Sequence, residues 1–136
     1  MRGYQWTEEG WKECSGIFGR GDGALVSTAS DQARFFRALL GGRLIPEQLL
    51  KSIMTVAFDD PPAEEPYGMG LLMPRAAGGQ LCGHSGSGYG YVNDAYFQLE
   101  SDRFAVCAMN GTFFGFPEYR HVRDRFFYRL REAVYS

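Results

Sequence analysis

Lysine is nearly missing from this sequence. Lys12 and Lys51 are the only two, although lysine and arginine together number 14. Chemistry that needs a lysine amine therefore has two places to look. Histidine is as scarce, with His84 and His121 alone. No cluster of His, Cys and carboxylate residues has metal-ligand spacing, so no metal is expected. The three cysteines, Cys14, Cys82 and Cys107, are an odd count without C-x-x-C spacing. That excludes a disulfide framework or a zinc site as the organising element. No apolar run approaches the ~20 residues that cross a bilayer, so no transmembrane segment is expected. The opening "MRGYQWTEEGWKEC" has one early arginine and no apolar core, so it does not read as a signal peptide. Nothing in the residues selects a compartment, periplasmic, extracytoplasmic or cytoplasmic. A net charge of −2 and a pI of about 5.7 leave no electrostatic footprint for nucleic acid.

What is present is apolar and aromatic. At 45% hydrophobic and 15% aromatic residues, the chain can bury a core and is not disordered by composition. Its 136 residues fit one domain, 1–136. "RGYQWTEEGWKEC" predicts a hairpin turning at Thr7-Glu8-Glu9-Gly10. "GRGDG", residues 19–23, reads as a glycine-rich loop without P-loop spacing. Thr28, with Asp31 three residues on, is a capping-box variant at the start of a helix. Ala29, Ala33, Phe36 and Leu40 share one face of that helix, and Gly41-Gly42 stops it. A second helix is expected from Pro46 to about Met54. "AFDDPPAEEP", residues 57–66, is a polar, proline-broken loop.

The period then changes. Residues 67–73, 80–86, 91–100 and 103–111 predict strands, with a tight turn at Glu100-Ser101-Asp102-Arg103. In 91–100, Val92, Asp94, Tyr96, Gln98 and Glu100 share one face; Asn93, Ala95, Phe97 and Leu99 share the other. Pro117 opens a last helix with an apolar stripe of Tyr119, Val122, Phe126, Leu130 and Val134, with Phe127 beside them, its arginines facing water or snorkelling. The fold class is α+β: an antiparallel sheet of four to six strands with packed helices and a C-terminal helix on one face.

The stretch with chemistry in it is "GHSGSGYGY", from Gly83. On a strand, Cys82, His84 and Gly86 point one way, and Gly83, Ser85 and Ser87 the other. Glycines here let another group approach the backbone. Taken alone, the stretch suits either a glycine-rich strand end with a hydrogen-bonded histidine or a platform for a substrate carbonyl. A third reading, Cys82 or Ser85 as nucleophile with His84 as base, lacks a residue to orient the imidazole.

The ordered set "GDGALVSTASDQARFFRALLGGRLIPEQLL", "YGMGLLM", "GHSGSGYGY", "FAVCAMNG" and a terminal helix resembles one family. It is similar to the C-terminal part of the serine β-lactamase and D-Ala-D-Ala carboxypeptidase superfamily, in particular the class C β-lactamase and esterase branch. The resemblance covers almost the whole chain. There a K-T-G or H-T-G triplet lies on the strand lining the active site, and the matching residues are His84, Ser85 and Gly86. The resemblance implies that His84 and Ser85 bind substrate and shape proton transfer, and that Gly86 keeps the strand clear. It further implies that Ser87 offers its backbone N–H as an oxyanion donor. It brings a serine acyl-enzyme mechanism and no cofactor.

The departures are as informative. The family's nucleophile is the serine of S-x-x-K, and no serine here has a lysine three residues later. "YVN", Tyr91-Val92-Asn93, has the letters of the family's Y-x-N element but follows His84 inside a predicted strand, so it reads as coincidence. The chain is expected to hold one wall of a site and to lack its nucleophile. It would act on a small-molecule or peptide acyl substrate only when completed by an N-terminal half. Without that half, self-association through exposed sheet surface is expected. The other reading is a non-catalytic module, derived from the same family, that binds a peptide or protein partner.

Overall fold

The computed structural model describes residues 2–14, 23–56, 66–88, 90–113 and 116–136. Residues 19–22 of the glycine-rich loop and 57–65 of the proline-broken loop lie outside them. The opening hairpin is β1 (Gly3–Thr7) and β2 (Gly10–Cys14), with Trp6 opposite Trp11. Helix α1 (Ala29–Leu40) starts where the capping signal places it. Thr28 Oγ1 accepts the Asp31 N–H at 3.1 Å and donates to the Asp31 carboxylate at 2.9 Å. Helix α2 (Glu47–Ile53) follows Pro46.

The main sheet has four antiparallel strands in the order β3 (Arg75–Ala76), β4 (Gly79–Gly88), β5 (Tyr91–Gln98), β6 (Arg103–Met109). The β4–β5 register runs without a bulge from Leu81 opposite Gln98 to Gly88 opposite Tyr91. A short β7 (Gly111–Thr112) continues from β6 and pairs in parallel with β1, so the opening hairpin forms a second, three-stranded sheet, β2-β1-β7. One 3₁₀ turn, Pro117–Tyr119, leads into α3 (Arg120–Tyr135).

The two faces of the main sheet carry different layers. Cys82 and Phe97 join Leu40 of α1, Leu50 of α2, Leu71 and Met73 in one core. Leu81 and Tyr96, on the opposite face by strand alternation, pack with Tyr135 of α3. The 16 residues of α3 are thus held under the sheet, and the α1–α2 layer lies over it.

Two expectations change. Residues 67–73 are not a continuous strand. Only Tyr67 and Leu72 bridge, to each other, and Leu72 also to Gly83. Gly70 takes a φ of +85° and folds the segment back. Gly68 presses against α2, where any Cβ would run into the Ile53 carbonyl oxygen. Among the described side chains of α3, Phe127 and Tyr135 are buried and Val134 packs against the core, whereas Val122 and Phe126 of the expected stripe are exposed. Arg131 turns in toward the sheet. It makes two hydrogen bonds to Asp94 of β5, at 3.0 and 3.2 Å, and lies 4.2 Å over the Tyr96 ring. That pairing turns the helix face containing residues 127, 131 and 135 toward the sheet.

Candidate active site

Strand β4 has two different edges. One is fully paired with β5. On the other, Leu81 N–H donates to Pro74 C=O at 2.9 Å, and Gly83 exchanges both backbone bonds with Leu72, at 2.8 and 3.0 Å. In a regular antiparallel ladder the N–H and C=O of alternate residues point to the same edge. Ser85 and Ser87 therefore present their N–H groups where Leu81 and Gly83 do. Beyond Gly83 no backbone group among the described residues pairs with that edge. Glycine is required at position 83 itself, since a Cβ there would collide with the Ala95 carbonyl oxygen of β5.

His84 folds over this open edge. Its Nδ1 lies 2.5 Å from the Ser85 carbonyl oxygen and its Nε2 lies 2.9 Å from the Tyr67 hydroxyl. A carbonyl only accepts, so Nδ1 carries the proton, and in the neutral ring Nε2 accepts from Tyr67. The two rings meet edge to face, with centroids 5.7 Å apart. The open edge is thereby unbalanced: the Ser85 carbonyl is engaged by its own chain, while the Ser85 and Ser87 N–H groups point outward. An edge rich in donors suits a carboxylate or a developing oxyanion.

The remaining predicted residues separate by face. Ser85 lies opposite Asp94 and Ser87 opposite Val92, so both hydroxyls project on the α3 side, away from the imidazole. The structure brings His84 to the Ser85 carbonyl, not to the Ser85 or Ser87 hydroxyls. At Gly86 a Cβ would meet the Asn93 Oδ1 at 2.8 Å. The space at this glycine is taken by an amide from the next strand, whose Nδ2 donates to Gln32 of α1 at 3.0 Å. Asn93 thus sits inside β5, as its position in the predicted strand implies. A Cβ at Gly88 would meet nothing within 4 Å.

Cys82 shares the His84 face but not its chemistry. It is 0% exposed within the apolar core. Burial, with a smaller push from Glu100, raises its thiol to about 11, so it stays protonated at neutral pH. Both imidazole nitrogens are engaged elsewhere. Tyr67 is the residue that sequence reasoning missed. Its "YGMG" context reads as a structural strand, and no local signal marks a hydroxyl that reaches 17 positions along the chain to His84. Among the described residues no group of three or more His, Cys, Asp or Glu side chains could hold a metal, and no helix is long and apolar enough to cross a membrane.

No family model and no curated protein matches this sequence. Solved structures do. The D-amino acid amidase from Ochrobactrum anthropi SV3, in complex with L-phenylalanine amide, is 24% identical with a TM-score of 0.71, over 97% of this chain and 42% of that one. The penicillin binding protein from Bacillus halodurans is 22% identical with a TM-score of 0.71, over 92% of this chain and 39% of that one. The D-stereospecific amidohydrolase from Streptomyces sp. is 20% identical with a TM-score of 0.63, over 82% and 35%. The fold is part of a β-lactamase-like fold. The chain shares its fold with part of each of these structures, and it spans less than half the length of each.

Proposed function

We propose that residues 1–136 form one domain, the C-terminal segment of an active-serine acyl hydrolase, and supply one wall of its site without the nucleophile. The observation that carries this reading is the open β4 edge, with outward Ser85 and Ser87 N–H groups beside the imidazole of His84. A serine from outside these residues, activated by its lysine, would attack the substrate carbonyl carbon. The electron pair moves to the carbonyl oxygen, and the Ser87 N–H stabilises the charge, at about 3–4 kcal/mol for such a donor. Collapse expels the amine or alcohol, and water then hydrolyses the acyl-enzyme. His84 and Ser85 bind the substrate, and Gly86 keeps β4 in register beside Asn93. No metal or organic cofactor takes part.

The substrate is a β-lactam, a D-alanyl peptide, a carboxylic ester or an amide. The two amide hydrolases among the similar structures favour an amide or peptide of a D-amino acid. A non-catalytic module that adds a partner's strand to this edge is the second reading. It needs the Ser85 carbonyl as an acceptor, and His84 already occupies that group.

Amide chemical shifts test the reading directly. Titrating the ¹⁵N-labelled chain with N-acetyl-D-alanyl-D-alanine, and separately with D-phenylalanine amide, should move the Ser85 and Ser87 amides most. His84 and Gly86, whose N–H groups face β5, should move less. Shifts confined to other parts of the sheet would refute the edge as the binding wall. The same reading leaves apolar surface uncovered and predicts self-association, visible in sedimentation velocity as a boundary that shifts with concentration. A single monomer boundary across the micromolar range would count against it.

A further inference from the structure

We propose that Tyr67 is the positioning residue for His84: its hydroxyl holds the imidazole, in its Nδ1–H tautomer, folded over the β4 edge, with the Nε2 lone pair spent on Tyr67. The inference rests on geometry. Its relevance to substrate rests on the function proposed above. Two independent anchors hold Tyr67 in place. Its segment docks on α2 through the Met69 N–H to Ile53 C=O bond at 2.9 Å, an approach that only glycine at position 68 permits. The same segment joins the sheet through the Leu72–Gly83 pair. Tyr67 and Leu72 bridge each other, so the tyrosine is fixed relative to the residue that precedes His84 in β4. At the other end of the ring, Nδ1 bonds the Ser85 carbonyl of the same strand. The imidazole is thus clamped between two partners on two elements.

The clamp has a chemical consequence. A neutral imidazole has one lone pair, and here it points at a phenol. His84 in this state offers no base to a ligand on the β4 edge. It serves as a fixed wall that caps the Ser85 carbonyl and leaves the adjacent N–H groups as donors. Tyr67 and His84 then act as a unit, and removing the tyrosine hydroxyl should alter the imidazole without touching the strand.

Long-range ¹H–¹⁵N correlation of the His84 ring, at about pH 8.5 where model imidazoles are neutral, tests this without any activity assay. The expected result for the native chain is a protonated, pyrrole-type Nδ1 and a pyridine-type Nε2. Tyr67→Phe should shift the Nε2 resonance, which loses its hydrogen-bond donor, while Nδ1 keeps the proton that the Ser85 carbonyl accepts and the β5 and β6 amide shifts stay in place. Gly68→Ala, which displaces the segment from α2, should produce the same change in the ring. A native ring with protonated Nε2, or ring nitrogens unchanged in a folded Tyr67→Phe chain, would overturn the proposal. Neither result depends on whether the chain belongs to a hydrolase.

Discussion

Tyr135 illustrates how a single residue couples the last helix to the sheet. It is 2% exposed. Its hydroxyl accepts the Ala105 N–H at 2.9 Å and donates to the Tyr96 carbonyl at 2.6 Å, so it bridges β6 and β5. Burial raises its ionisation from the usual 10 to about 12, against a small lowering by the Ala105 N–H. A raised folded value means that the unfolded chain loses this proton first. The contribution is therefore complete below about pH 10 and is lost as pH rises toward 12, on the order of 3 kcal/mol for a shift of about two units. Cys82 acts with the same sign between 9 and about 11. Urea unfolding of Tyr135→Phe should show a flatter pH dependence above pH 10 than the native chain. An identical slope would mean that Tyr135 is not the titrating group. None of this was legible in the sequence, where Tyr135 is simply the residue before the last.

Elements were legible where a local signal states both ends. The Thr28–Asp31 cap, the Gly10 turn and the alternation of β5 all lie where patterning put them. The segment at 67–73 was misread because its apolar letters fit a strand, while its fold-back depends on a tertiary approach between Gly68 and Ile53. The inner face of helix α3 was only partly legible for a related reason. Its apolar residues offer more than one stripe, and the choice is made by Asp94 on another element, only 4% exposed and paired with Arg131. Arg131→Ala removes both charge-assisted bonds from that carboxylate and the cation lying over Tyr96. It should cost about 3–5 kcal/mol, the range for breaking a buried pair, and release α3 from the sheet. Thermal or urea unfolding measures the loss, and a cost below about 1 kcal/mol would show that α3 is held by Phe127 and Tyr135 instead.

At the scale of the whole molecule, the sheet and its two helical layers leave apolar side chains of the described residues bare. Leu25 and Val26 are 94% and 85% exposed, and Phe104, Val122 and Phe126 are exposed on β6 and α3. The similar structures are more than twice as long as the part this chain spans. The ordered motifs made the partial fold readable. The unequal edge of β4 was not, because it arises from Leu72 pairing only as far as Gly83 and from His84 turning onto Ser85. The central claim is a substrate wall without a nucleophile. Intact-mass spectrometry after incubation with a fluorophosphonate, and separately with a penicillin, tests it most directly. The predicted result is an unchanged mass with both reagents. A stoichiometric adduct on any serine or cysteine of the folded chain would contradict the account, and the labelled residue would identify the nucleophile it denies.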